Sequence, residues 1–145
     1  MDYWDTSALF KLYVRESDSP YFLNLAADSP EAIATSTISA AEILCAAYRK
    51  ERAGELVVGG AMVVFQAFLE DCAEGRIVAI PCGGEVIAAV REVLQAAHLN
   101  PRPVMVRALD AIHAGSANAA RARTMVATDA RLREAAGLLG LRVLP

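Results

Sequence analysis

The sequence lacks the motifs and segments that mark several common classes of protein. Neither G-x-x-x-x-G-K-[ST] nor G-x-G-x-x-G occurs, which argues against the usual nucleotide-binding loops. The 3 cysteines are odd in number and form no C-x-x-C pair, so neither a disulfide framework nor a zinc site is indicated. The longest apolar run, Val57 to Leu69, is interrupted by Gly59, Gly60 and Gln66 and is too short to span a bilayer. With no secretory leader pattern at the N-terminus, we expect a soluble cytoplasmic protein without a membrane partner.

What is present predicts a single α/β domain over residues 1–145. Hydrophobic residues make up 55% of the chain, and no polar or Pro/Gly-rich linker divides it. Short strand patterns alternate with helical ones, which predicts a mostly parallel sheet of about five strands wrapped by about seven helices. The expected strands are 3–5, 32–35, 76–80, 124–127 and 141–144. The expected helices are 6–15, 19–27, 39–53, 56–74, 84–98, 104–121 and 129–138.

Charge is distributed unevenly along the chain. Residues 1–97 hold 7 Lys and Arg against 14 Asp and Glu, whereas residues 98–145 hold 7 Arg against 3 acidic residues. Arginine suits bidentate contact with phosphate, so the C-terminal part can present a basic face to a nucleic acid. A solvated helix surface is the alternative for any one of these side chains. The phosphate-contact candidates nearest to acidic residues are Arg107, Arg131 and Arg133.

Two aspartates, Asp5 and Asp129, each follow a predicted strand and precede a helix. Each can act as the N-cap of its helix. In parallel α/β sheets, however, ligands bind beyond the carboxyl ends of the strands, where both residues are expected. The two positions therefore indicate one shared cleft.

Glu42 ends the string Ser39-Ala40-Ala41-Glu42, which matches the S-x-x-E capping box. Helix capping is the simpler interpretation of this residue when it is taken alone. The same position nevertheless puts its carboxylate after the second strand, on the edge already assigned to Asp5. Capping and metal binding cannot fully share one carboxylate.

Asp110 lies in the middle of a predicted helix, among mostly apolar neighbours. A buried unpaired carboxylate is costly, so it needs a cation, Arg107 or His113 at helical spacing, or solvent. A metal-facing role is favoured. His113 itself is expected to be a packed, hydrogen-bonded residue rather than a catalytic one.

Taken together, Asp5, Glu42, Asp110 and Asp129 predict a metal-dependent phosphodiesterase site, because hard divalent cations are held by a few oxygen ligands. Their sequence context resembles the PIN-domain ribonucleases, and in particular the VapC-type toxins of toxin–antitoxin pairs. The resemblance runs nearly from end to end. The strings that carry it are Tyr3-Trp4-Asp5-Thr6-Ser7-Ala8-Leu9, Ser39-Ala40-Ala41-Glu42, Leu109-Asp110-Ala111-Ile112-His113-Ala114 and Ala127-Thr128-Asp129-Ala130-Arg131-Leu132.

The resemblance implies a PIN-like α/β/α sandwich and assigns the same four carboxylates to catalysis and to Mg²⁺ or Mn²⁺. It implies that Thr6 or Ser7, with Thr128, supports them by hydrogen bonds. Water activated by the metal would then hydrolyse RNA, leaving a 5′-phosphate and a 3′-hydroxyl. Some relatives carry another acid two residues after the fourth motif's aspartate, where this chain has Arg131. That departure weakens the case for a second metal ion.

The resemblance also implies a homodimer and a cognate antitoxin whose C-terminal segment wraps the chain and places a basic side chain among the carboxylates. Apolar helix surfaces within residues 39–74 can form the antitoxin groove, although core packing gives the same amphipathic pattern. Two alternatives remain. One is a binding-only protein in which the carboxylates are helix caps and the cleft receives a basic partner. The other is a haloacid-dehalogenase-like phosphatase, whose paired aspartates Asp2 and Asp5 match poorly in spacing.

Overall fold

Strands and helices alternate along the chain. The computed structural model describes all of residues 1–145. The strands are β1 (Asp2–Trp4), β2 (Ile33–Ser36), β3 (Ile77–Ile80), β4 (Thr124–Val126) and β5 (Arg142–Leu144). The helices are α1 (Thr6–Leu9), α2 (Ser19–Ala27), α3 (Ser39–Arg52), α4 (Gly60–Ala73), α5 (Gly84–Leu99), α6 (Ala108–Ala119) and α7 (Ala130–Leu138), with a 3₁₀ helix at Phe10–Leu12.

The five strands form one parallel sheet in the order β3-β2-β1-β4-β5. Every neighbouring pair is parallel, with Tyr3 opposite Ala34 on one side and Met125 on the other. The predicted α/β architecture of a five-stranded parallel sheet with seven α-helices is confirmed. No helix of the structure is both long enough and apolar enough to cross a bilayer.

Successive strand residues point to opposite faces of the sheet and so build two separate cores. Trp4, Ile33 and Val126 belong to the core that also contains Leu9, Phe22, Ile43 and Phe68. Tyr3, Ala34 and Met125 belong to the other core, with Val93, Ala114 and Leu132. Because helices cover both faces of the sheet, every residue of the inner strands β2 and β4 is buried.

Two helices begin or end elsewhere than the sequence predicts. The first helix ends at Leu9 and tightens into the 3₁₀ segment, instead of continuing to residue 15. Helix α4 begins at Gly60 rather than at residue 56, because Gly59 has a φ of 84°, in the left-handed region that favours glycine. Both differences arise from backbone geometry that hydrophobic periodicity does not report.

Helix α6 also begins later than predicted, at Ala108 instead of residue 104. The N–H of Val104 donates to the carbonyl oxygen of Ala97 at 3.1 Å, and the Val104 side chain is buried, so this segment is tied to the end of α5. Asp110 therefore lies in the first turn of α6, not in the middle of a helix. Gly115 allows the close approach of α5, because a Cβ there would lie 2.8 Å from Cγ2 of Val90.

Candidate active site

The predicted acidic residues meet at the carboxyl edge of the sheet. Strands β1, β2 and β4 are parallel and end there, and α6 begins there because it runs back to the start of β4. A cleft of about 550 Å³ opens at this edge. Its lining is mostly polar and comprises Asp5, Thr6, Ser7, Phe10, Glu16, Glu42, Ala46, Arg49, Lys50, Ala53, Glu55, Arg107, Asp110, His113 and Asp129.

Asp5 is the most buried carboxylate of the cleft, at 6% exposure. As predicted for an N-cap, Oδ1 accepts a hydrogen bond from the backbone N–H of Ala8 at 3.0 Å. The hydroxyl of Ser7 lies 2.9 and 2.8 Å from the two carboxylate oxygens. Burial raises the pKa of Asp5 although these donors oppose the shift. Asp5 thus caps α1 and faces the cleft at once.

Asp129 caps α7 through Oδ1, which accepts from the backbone N–H groups of Arg131 and Leu132 at 2.9 and 3.3 Å. Burial opposes ionisation, but these donors and the charge of Arg107 keep the pKa of Asp129 below its usual range. Its neighbour Thr128 lies 2.5 Å from Oγ of Ser7. The first turn of α1 and the loop after β4 are therefore joined by a hydroxyl contact beside the carboxylates.

Glu42 does not form the capping box that its sequence predicts. Ile38 occupies the N-cap position of α3, and Oε2 of Glu42 instead accepts from Thr6 Oγ1 at 2.5 Å and lies 2.8 Å from Nε2 of His113. Burial opposes ionisation, yet the hydrogen bonds from His113 and Thr6 lower the pKa of Glu42. Partners from two other elements have replaced the local cap.

His113 lies at the centre of a buried hydrogen-bond chain behind Glu42. The side chain is 3% exposed, and its Nδ1 lies 2.8 Å from the Tyr3 hydroxyl. Burial raises the pKa of Tyr3 strongly, so the hydroxyl stays protonated and donates a hydrogen bond to Nδ1. Nε2 of His113 then carries the proton directed at Glu42. The expected packed, hydrogen-bonded histidine is present, and its partner is a candidate ligand.

Asp110 is paired with Arg107, the residue that immediately precedes α6. Nε of Arg107 donates to Oδ2 at 2.7 Å, and Nη2 donates to Oδ1 at 3.1 Å. The same Nη2 donates to Oδ2 of Asp129 at 2.7 Å. Arg107 therefore bridges two carboxylates that lie 19 positions apart in the chain, and the cleft already holds a positive charge among its acidic groups.

Comparison with known proteins identifies the family. The PIN domain model matches residues 3–138. The chain belongs to the PIN-domain family. PIN domains are nucleases, which supports hydrolysis of nucleic-acid phosphodiesters, and they generally use divalent metal ions. This membership removes support from the haloacid-dehalogenase alternative, as does the position of Asp2 within β1.

Two solved structures resemble this PIN domain over almost its whole length. VapBC2 from Rickettsia felis, in a crystal structure bound to a DNA fragment from their promoter, has a TM-score of 0.66 at 19% identity and covers 99% of this chain and 97% of that chain. FitAcB from Neisseria gonorrhoeae has a TM-score of 0.68 at 17% identity and covers 100% and 97%. At these identities the likeness establishes the fold. None of the curated proteins compared with the chain matches it.

The donor set of this PIN domain fits a hard divalent cation. All four candidate ligands are carboxylates, which suit Mg²⁺ and Mn²⁺, and a guanidinium already stands as a cation between Asp110 and Asp129. As the side chains stand, no three His, Cys, Asp or Glu groups converge as a ready metal cluster. The cleft thus contains suitable metal ligands, and two of them, Asp110 and Asp129, are hydrogen-bonded to Arg107.

The PIN-domain cleft also contains basic residues that sequence reasoning missed. Arg49 and Lys50 line its far end, whereas Arg131 and Arg133 are not among the lining residues. Arg133 donates to the carbonyl oxygen of Pro145 at the end of the chain. Helical spacing could have identified Arg49, because it lies seven residues after Glu42 and therefore on the same face of α3.

Proposed function

We propose that this PIN-domain protein is a metal-dependent endoribonuclease of the VapC type, the toxin of a toxin–antitoxin pair. One observation carries the proposal. Four carboxylates from four separate sequence motifs line a single cleft at the carboxyl edge of the sheet. Acidic residues from distant parts of the chain that line one cleft are what a metal-assisted phosphodiester hydrolysis requires.

Asp5, Glu42, Asp110 and Asp129 are the residues that would hold the metal, which we take to be Mg²⁺ or Mn²⁺. When bound, such an ion lowers the pKa of a water molecule and neutralises charge on the phosphate. The residues around the carboxylates fix their orientation. Thr6 and His113 both contact Oε2 of Glu42, and Ser7, with Thr128 beside it, holds Asp5. Oriented ligands of this kind are needed for a defined coordination geometry.

The substrate is proposed to be RNA, with Arg107, Arg131 and Arg133 as phosphate contacts. The composition of the cleft supports adding Arg49 and Lys50 to this set, because they line its far end. Lys50 is already paired with Glu16 and Glu55, whereas Arg49 is exposed and makes no ion pair. Arg49 is therefore an exposed cation of the cleft that is free to contact a phosphate of the substrate.

The proposed partners are a cognate antitoxin and a second copy of the chain, in the cytoplasm. The two similar structures are those of VapBC2 with a promoter fragment and of FitAcB, which supports a protein partner of this type. An antitoxin that inserts a basic side chain among the carboxylates would substitute for the metal electrostatically. Exposed apolar residues of the α3–α4 region, including Tyr48 and Val58, support a groove there.

A binding-only protein is the second candidate, and it is favoured by the capping roles of Asp5 and Asp129. Cleavage of total RNA by purified protein distinguishes the two. The wild type should yield discrete fragments with Mg²⁺ or Mn²⁺ and none with EDTA. Asp5→Asn keeps a residue that can cap a helix but removes the charge of a metal ligand. It should reduce cleavage by more than about a hundredfold, because a hundredfold is the upper limit expected for residues that only support a ligand.

The exposed Asp28→Asn variant is the matched control and should cleave normally. Fragments with 5′-phosphate and 3′-hydroxyl ends would agree with attack by water. Folded wild-type protein that leaves RNA intact with either metal would instead support the binding-only function.

A further inference from the structure

Arg107 is hydrogen-bonded to two of the four carboxylates that would hold a metal. Its guanidinium donates three hydrogen bonds, two to Asp110 and one to Asp129. Both oxygens of Asp110 are engaged in this way. Of the Asp129 oxygens, Oδ1 is held by the backbone of α7 and Oδ2 by Arg107. Every oxygen of these two carboxylates therefore faces an N–H donor.

The positive charge of Arg107 is permanent, because an arginine guanidinium is not deprotonated in proteins. A divalent cation bound to the same oxygens would lie beside this charge and be repelled by it. Guanidinium and metal are therefore competitors for Asp110 and Asp129, and occupancy by one opposes occupancy by the other.

Arg107 is also free to leave. Its side chain is 57% exposed, and Asp110 and Asp129 are its only side-chain hydrogen-bond partners. The residue lies at the junction of α6 with the irregular stretch 100–107, and it makes no side-chain cap on the helix. Departure of the guanidinium breaks these contacts and disturbs no core packing.

We propose that Arg107 is an exchangeable counterion: it holds Asp110 and Asp129 in the metal-free protein and is displaced when a divalent cation binds. The inference rests on the proposed function, because it assumes that these carboxylates are ligands. Arg107 was predicted to contact phosphate, yet it is hydrogen-bonded to carboxylates in the metal-free protein. The exchange accounts for both roles, because the displaced guanidinium stays at the cleft and can contact a phosphate of the substrate. Arg107 sets the apparent metal affinity by competition.

Calorimetric titration of EDTA-treated protein with Mn²⁺ in about 0.15 M salt tests the exchange. If the Arg107-bound form is about nine tenths of the metal-free population, Arg107→Gln should bind Mn²⁺ about tenfold more tightly. Arg107→Lys should lie between, because lysine keeps the charge but loses the fork that bridges two carboxylates. Unchanged or weaker binding by Arg107→Gln would overturn the proposal, and weaker binding would make Arg107 a support that holds the ligands in place.

Arg49→Gln is the matched control. It removes the same charge from the same cleft without touching a carboxylate, so its Mn²⁺ affinity should change by less than about threefold in this salt. An equal effect in both variants would show that net charge alone acts, which contradicts exchange. Circular dichroism melts of each metal-free variant verify that the titrated protein is folded.

Nuclear magnetic resonance observes the exchange directly, with diamagnetic Mg²⁺ as the probe. The Nε–H resonance of Arg107, assigned by its absence in Arg107→Lys, should shift as Mg²⁺ saturates the site. A resonance that stays in place while Mg²⁺ binds would refute displacement. These readouts do not use RNA, so exchange without RNA cleavage would leave this inference intact and remove only the proposed nuclease activity.

Discussion

The orientation of a single carboxylate, that of Glu42, depends on a histidine 71 positions away. Oε2 of Glu42 contacts both His113 and Thr6, which leaves Oε1 as the oxygen without a side-chain donor. The Tyr3 hydroxyl supports this arrangement from behind by donating to Nδ1 of His113. A buried chain of this kind is fully satisfied only while all three side chains are present.

His113→Ala is therefore expected to weaken both folding and metal binding. Loss of the buried ring and of the acceptor for Tyr3 should lower the free energy of unfolding by about 3 kcal/mol. Mn²⁺ affinity should fall by about tenfold, as for other residues that orient a ligand. Tyr3→Phe is the comparison: it keeps the ring and removes one hydrogen bond, so it should cost about 1 kcal/mol. Urea unfolding measures the change in stability, and calorimetry measures the change in Mn²⁺ affinity. An unchanged Mn²⁺ affinity in folded His113→Ala would show that the orientation of Glu42 does not depend on His113.

At the scale of elements, the sequence predicted strand and helix order correctly because local periodicity determines it. The structure places all four acidic positions along one cleft, as the positions of Asp5 and Asp129 after strands indicated, and their role as metal ligands stays a prediction. The contacts between elements were not predicted. The predicted Ser39–Glu42 capping box is wrong because Glu42 contacts His113 and Thr6, which are distant in the sequence. Asp110 was predicted in mid-helix because the hydrogen bond that ties Val104 to the end of α5 leaves no local sequence pattern.

One such contact joins the segment after α1 to α3 through Glu16. Its carboxylate lies 2.6 Å from Nζ of Lys11 and 2.9 Å from Nζ of Lys50, in the last turn of α3. The hydrogen bond from Lys11 is the main reason that the pKa of Glu16 is lowered, and Lys50 adds to it against the effect of burial. A carboxylate with a lowered pKa stabilises the folded state above its unfolded pKa, and this stabilisation is lost as the pH falls through the folded pKa.

Glu16→Gln should consequently lower the free energy of unfolding by about 1 kcal/mol at pH 7. The difference from wild type should shrink as the pH falls below about 4.3, the ordinary pKa of glutamate, and vanish below the folded pKa. Urea unfolding across this range measures it. Glu134→Gln, at an exposed residue without an ion pair, is the control and should change the free energy of unfolding at pH 7 by less than about 0.5 kcal/mol. A Glu16 effect that is constant with pH would mean that packing rather than charge is responsible.

At the scale of the whole molecule, two exposed apolar surfaces differ in their relation to the cleft. The α4 surface contains Val57, Val58, Met62 and Val63, and the adjoining pocket shares Arg49 with the cleft. The α5 surface contains Ile87, Leu94 and Leu99 and shares no lining residue with it. A partner that blocks the cleft is suited to the first surface. A second copy of the chain that leaves the cleft open is suited to the other.

The predicted homodimer should therefore form through the α5 surface. Light scattering on the purified chain should give twice the monomer mass, and the double variant Ile87→Glu and Leu94→Glu should give a monomer, because buried unpaired carboxylates oppose association. Val58→Glu with Met62→Glu places the same charges on the α4 surface and should leave the dimer intact. A monomeric wild type would reject the homodimer. Loss of the dimer only in the α4 variant would instead put the interface beside Arg49, where pairing of two copies would restrict the approach of RNA to the carboxylates.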